Sequence, residues 1–132
     1  MPFGVPDAQW NAAKDEVRVT LVGIARRRTV TTYGELTENI QAFPFRPEEH
    51  RFHCLLGEIS TEEDSSGRRM LSAVVVHKNP DRIEGEGGFT MPGIGFFKLA
   101  VELGREPCDS EIDRLELWAR EVGELYNYWE TH

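Results

Sequence analysis

Only two cysteines, Cys54 and Cys108, occur in 132 residues, and they lie in unrelated contexts. They build no disulfide framework, which suits a reducing compartment. No apolar run approaches the ~18 residues a membrane span needs, and the N-terminal segment has no signal-peptide pattern. The chain is therefore expected to be soluble and cytoplasmic, with no membrane partner. Lys-Ser/Thr does not follow the glycines at 85, 87, 88, 93 and 95, so the phosphate loop of a nucleotide-binding protein is missing. Glu84 and Glu86 would also oppose an anion there.

Basic charge is scarce in the second half. Residues 1–54 carry seven cations and seven carboxylates, residues 55–104 five against eight, and residues 105–132 three against eight. The formal net charge of −8 thus arises after residue 54. Such a balance counts against a nucleic-acid footprint unless one is built locally from Arg26, Arg27, Arg28, Arg46 and Arg51.

The chain is rich in helical periodicity. At 39% hydrophobic and 10% aromatic it has the composition of one folded domain, residues 1–132. Asp7 after Pro6 predicts a helix cap, and Trp10, Ala13, Val17, Thr20, Leu21 and Ile24 predict a buried stripe on a helix ending near Arg26. The Arg26–Arg28 triplet suits a helix C-terminus, as a solvated last turn or as a phosphate contact. Val30 and Thr31 are β-branched, and Thr32 with Glu35 forms a capping box that opens a short helix. Pro47, Glu48 and Glu49 predict a third helix over 47–60, with Phe52, Leu55, Leu56 and Ile59 on one stripe. Ser60 to Gly67 then reads as a polar turn.

Met70 to His77 predicts a strand covered on both faces. The Gly/Pro-rich stretch 78–95 reads as a wing or lid, and its role stays open. Phe96, Leu99, Ala100 and Leu103 predict a helix closed by Gly104. Ser110 predicts the cap of a last helix that buries Ile112, Leu115, Trp118, Val122, Leu125 and Trp129. A long helix, short strand, capped short helix, third helix and strand make the opening of a winged helix-turn-helix. The predicted class is α+β, mostly helical, with a small sheet and a C-terminal helix pair.

Val30-Thr31-Thr32-Tyr33-Gly34-Glu35 resembles the V-T-T-Y-G-[DE] segment in the DNA-binding domain of O6-alkylguanine-DNA alkyltransferases and their non-catalytic alkyltransferase-like relatives. The resemblance implies that Tyr33 supports nucleotide extrusion. It does not extend to the nucleophile, because Met70 to His77 stands where the family has P-C-H-R-V, and Pro107-Cys108-Asp109 lies too late. Covalent alkyl acceptance is therefore not expected. The family's intercalating Arg of A-R-x-V-G has no clean counterpart, with Arg51 nearest. Tyr33 also reads as an amphipathic ring packed on the third helix.

His50, His53 and Cys54 share one helical face, but a structural zinc site normally needs four ligands, so no metal and no cofactor are expected. Two functional expectations result. The first is a non-catalytic winged-helix module that binds double-stranded DNA through Tyr33, Arg46, His50, Arg51, Arg26 and Arg27. The second is a winged-helix-derived interaction or regulatory module whose acidic C-terminal helix meets another protein or a second copy. The first is favoured by the resemblance, the second by charge.

Overall fold

A computed structural model describes residues 2–77 and 91–132. After a 3-10 turn at Pro2–Gly4 come α1 (Asp7–Arg26), β1 (Thr31–Thr32), α2 (Tyr33–Glu38) and α3 (His50–Ser65). A second 3-10 turn (Leu71–Val74) leads into β2 (Val75–Val76), followed by α4 (Ile94–Glu102) and α5 (Glu111–Glu130). The architecture is α+β and mostly helical. Among the described residues the sheet is one parallel pair, with Thr31 opposite Val75 and Thr32 opposite Val76.

α1 follows its periodicity closely: Trp10, Ala13, Val17, Leu21 and Ile24 are buried. Its cap differs from expectation. Pro6 holds the cap position and its carbonyl accepts the Trp10 N–H at 2.9 Å, so Asp7 falls inside the first turn. There a carboxylate still favours the positive end of the helix. Only half of the capping box at α2 forms. Glu35 N–H donates to Thr32 Oγ1 at 3.2 Å, whereas the Glu35 carboxylate accepts from the Thr31 hydroxyl at 3.3 Å.

α3 starts later and ends later than the sequence pattern predicts. Glu49 is its cap residue, because its carboxylate accepts the Arg46 N–H at 2.6 Å and folds residues 46–49 into a turn before the helix. At the other end, polar residues that read as a loop are helical because each finds a partner. Ser60 Oγ accepts the Ser72 N–H at 2.9 Å, buried Glu63 meets Arg18 and Arg68, and Asp64 meets Arg105. Gly67 and Arg69, both in the left-handed region at φ 78° and 72°, then reverse the chain.

The Met70–His77 segment is buried from 70 to 76 as expected, but only its last residues are a strand. β1 is two residues long, so the preceding amides have no strand to pair with. Other partners take their place: Ala73 N–H donates to Met70 O at 3.1 Å, and Ala73 O accepts the Trp118 indole N–H at 2.8 Å. α1, α3 and α5 all pack on this turn, which accounts for its unbroken apolar run. Trp118 is half-buried there rather than fully enclosed.

α5 departs most from its predicted face. Ser110 caps it as expected, accepting the Asp113 N–H at 3.1 Å. The buried stripe is Leu117, Glu121, Leu125 and Trp129, while Ile112 and Leu115 are 68% and 51% exposed. Glu121 lies inward because Arg105 and Arg69 neutralise it at 2.7 and 3.0 Å. The expected wing falls largely at residues 78–90 and lies outside the described residues.

Candidate interaction site

Tyr33 is the first residue of α2 and is buried at 7% exposure. Its ring lies between two imidazoles, His53 of α3 at 4.9 Å and His77 after β2 at 4.6 Å between centroids. The phenol oxygen accepts the Gly93 N–H at 3.0 Å. Gly93 lets the ring approach closely, since a Cβ there would sit 2.9 Å from His77 Nε2 and displace that ring. Burial pushes the Tyr33 phenol up, with the Gly93 bond acting against it. His77 is pushed down, first by burial and then by His53. His53 Nε2 lies 2.9 Å from the Pro47 carbonyl, the usual distance for a ring N–H donor.

Tyr33 and His53 form a wall shared by two clefts. One, of about 490 Å³, runs between α3 and α4 and includes His50, Cys54, Lys98 and Glu102. The other, of about 480 Å³, is bounded by Thr32, Pro47, Glu48 and His77. His50 Nε2 lies 3.3 Å from the Cys54 sulfur, one turn along the same helix. Burial, then Glu58, raises the Cys54 thiol, so it stays protonated at neutral pH. His53 directs its Nε2 to Pro47 instead of joining His50 and Cys54.

The candidate phosphate contacts are engaged by different parts of the chain. Arg51 bonds the Glu49 carboxylate, lies over the rings of Phe43 and Phe45 at 4.7 and 5.8 Å, and donates to Phe3 O at 3.4 Å. It holds an aromatic loop together. Arg26 donates to the His132 carbonyl at 2.9 Å and lies over Trp129. Arg28, in the left-handed region at φ 53°, pairs with Glu130 at 2.6 Å. Arg27 and Arg46 are exposed; Arg46 approaches Glu48 at 3.6 Å.

α4 flanks part of the outward side of α3. A Cβ on Gly57 would meet Leu99 of α4 at 3.9 Å, and the larger cleft is bounded by both helices. Within 50–65, one arginine stands against Glu58, Glu62, Glu63 and Asp64. Two features were missed in the sequence. One is the buried ion-pair knot in which Arg105 takes Asp64 through two bonds of 2.8 Å and also Glu121. The other is the uncovered outer face of α5 at Ile112 and Leu115. A signal for it existed, since Ile112, Leu115, Ala119, Val122 and Tyr126 alternate at three and four residues.

No protein-family model matches this chain, and neither does any curated protein or solved structure. Its function has to be read from its own residues.

Proposed function

We propose that this chain is a non-catalytic protein-interaction module carried on a winged-helix-like frame. The acidic balance of α3, one arginine against Glu58, Glu62, Glu63 and Asp64, supports this most directly. A recognition helix has to present its outer face to a groove; here the inner face holds Phe52, Leu55 and Ile59 in the core, and α4 flanks the outer face at Gly57, where a Cβ would touch Leu99. The charges agree with this reading. Arg51 is held within the protein, and the remaining ionised groups of α3 are acidic. A negative field slows encounter with a polyanion. The outer face of α5 offers apolar side chains to solvent instead.

A titration of labelled duplex DNA at low salt tests the reading with wild type and Arg46→Glu. The expected result is negligible binding by both. Wild-type binding that is lost in Arg46→Glu, with log K falling by about 0.9 per phosphate contact against log salt, overturns it.

A duplex-binding reading keeps one observation on its side. Tyr33 borders a cleft of about 490 Å³, ample for an extruded base, while Arg27 and Arg46 remain exposed. On that reading these three residues make the contact, and Arg51 only shapes the loop beside them.

A further inference from the structure

α5 has two apolar stripes. The inner one is in the core. The outer one, Ile112, Leu115, Ala119, Val122 and Tyr126, follows the a/d spacing of a heptad. Its C-terminal half is occupied: Val122 and Tyr126 pack on the core, and the Tyr126 hydroxyl donates to Thr29 O at 2.8 Å. Its N-terminal half is open, with Ile112 68% exposed, Leu115 51% exposed and Ala119 also exposed. If Ile112 is an a position, Glu111 is the flanking g and Glu116 the flanking e, and both are exposed. Exposed Glu106, Asp109 and Asp113 add to the same end, where these five carboxylates outnumber Arg114 and Arg120 of the helix itself. The nearby Arg105 is already committed to Asp64 and Glu121.

We propose, resting on the interaction-module reading, that this stripe docks a basic amphipathic helix of another protein, with Lys or Arg flanking its own a/d seam. The charges select that occupant over a second copy. Two copies paired in parallel set g against e of the neighbour, and antiparallel pairing sets like positions together. Either way carboxylate faces carboxylate around the open turns, which is unfavourable. A helix with lysines at e and g converts the same contacts to ion pairs. Only about two turns of seam are free, so the contact belongs to the weak, transient class.

The test uses the full chain and three labelled synthetic peptides of about three heptads. One has Leu and Ile at a and d with Lys at e and g; the second has Glu at e and g; the third scrambles the first. Fluorescence anisotropy is expected to show binding of the patterned Lys peptide alone. Leu115→Asp should weaken it by about tenfold or more. Glu111→Lys/Glu116→Lys should reverse the preference toward the Glu peptide. Circular dichroism melts check that these variants, all at exposed positions, remain folded; the charge-reversal pair serves if Leu115→Asp does not. Equal binding of scrambled and patterned Lys peptides overturns the inference, as does an unchanged preference in the charge-reversed chain or no binding of the Lys peptide. A wild-type dimer in sedimentation that dissociates in Leu115→Asp also overturns it but leaves the interaction-module reading standing. Duplex binding sensitive to Arg46→Glu overturns that reading itself.

Discussion

α1 and α5 are both twenty residues long, both amphipathic, and both packed on the turn at Leu71–Val74. In α1 the apolar spacing names the buried residues directly. In α5 it does not: two predicted core residues are in solvent, and a glutamate sits in the core in their place. The difference lies in the number of stripes. α1 has one run of large apolar residues, so hydrophobic burial has a single solution. α5 has two interleaved runs, and the choice between them depends on cations brought by distant parts of the chain.

The largest effect should come from removing the group that orients α5. Glu121 is 3% exposed and accepts from both Arg105 and Arg69. Glu121→Ala leaves Arg105 to Asp64 and Arg69 to Glu124, but it removes the buried carboxylate that both share and empties its place in the core, and should cost on the order of 2–4 kcal/mol in urea denaturation. A loss below about 1 kcal/mol would show that water replaces the carboxylate freely and that the inner stripe is held by Leu117 and Leu125 alone.

Next comes the contrast between matched leucines. Leu21→Ala in α1, at a fully buried site, should cost roughly 2–5 kcal/mol. Leu115→Ala in α5, where half the side-chain surface is already in water, should stay within about 0.5 kcal/mol. Thermal melts of both variants check this, and similar losses would mean that Leu115 is covered in solution.

These contrasts show what was readable in the residues and why the rest was not. Element order, the Ser110 cap, the Thr32 cap and Gly104 at φ 100° all depend on neighbours within a few positions, so local chemistry reveals them. The start of α3 was missed because Glu49 bonds Arg46 N–H and turns the chain once before the helix begins. Its end was missed because Arg18, 45 residues from Glu63, and Arg105, 41 residues from Asp64, convert apparent loop polarity into buried ion pairs. For the site, the packing of Tyr33 beside α3 was one of the two stated alternatives, and its ring centroid lies 4.9 Å from that of His53 on that helix. That Arg51 would be spent on Phe43, Phe45 and Glu49 required knowledge of how the loop folds back.

The helix starts allow a smaller test. α5 is capped by a side chain and α1 is not, since Pro6 lacks a side-chain acceptor. Ser110→Ala should therefore cost about 0.5–2 kcal/mol, read as a fall in the denaturation midpoint. Pro6→Ala removes no cap bond and should act only through chain entropy, by about 1 kcal/mol at most. A larger loss at Pro6 than at Ser110 would reverse the comparison.

The smallest effect should be a pH dependence at the end of the segment that both helices grip. His77 follows β2, lies against Tyr33 with the rings tilted by 36°, and is held below its ordinary pKa of 6.5 by partial desolvation and by His53. A depressed histidine pKa means that the fold prefers the neutral ring, so the unfolded chain binds more protons at mildly acid pH. The associated stability is complete above 6.5, is lost as pH falls from 6.5 through the lowered value, and is constant below it. The lowered carboxylates Glu49 and Glu62 lose their contributions further down, below their ordinary value of 4.5, so the two processes separate. Urea midpoints at pH 7.5, 6.5, 5.5 and 5.0 (values that bracket the ordinary histidine pKa of about 6.5) should therefore decline modestly in wild type and remain flat in His77→Gln, which keeps a polar ring-sized group without the titration. An undiminished slope in His77→Gln would transfer the acid sensitivity to another group and leave the strand end, and with it the shared grip of α1 and α5, indifferent to the protonation of His77.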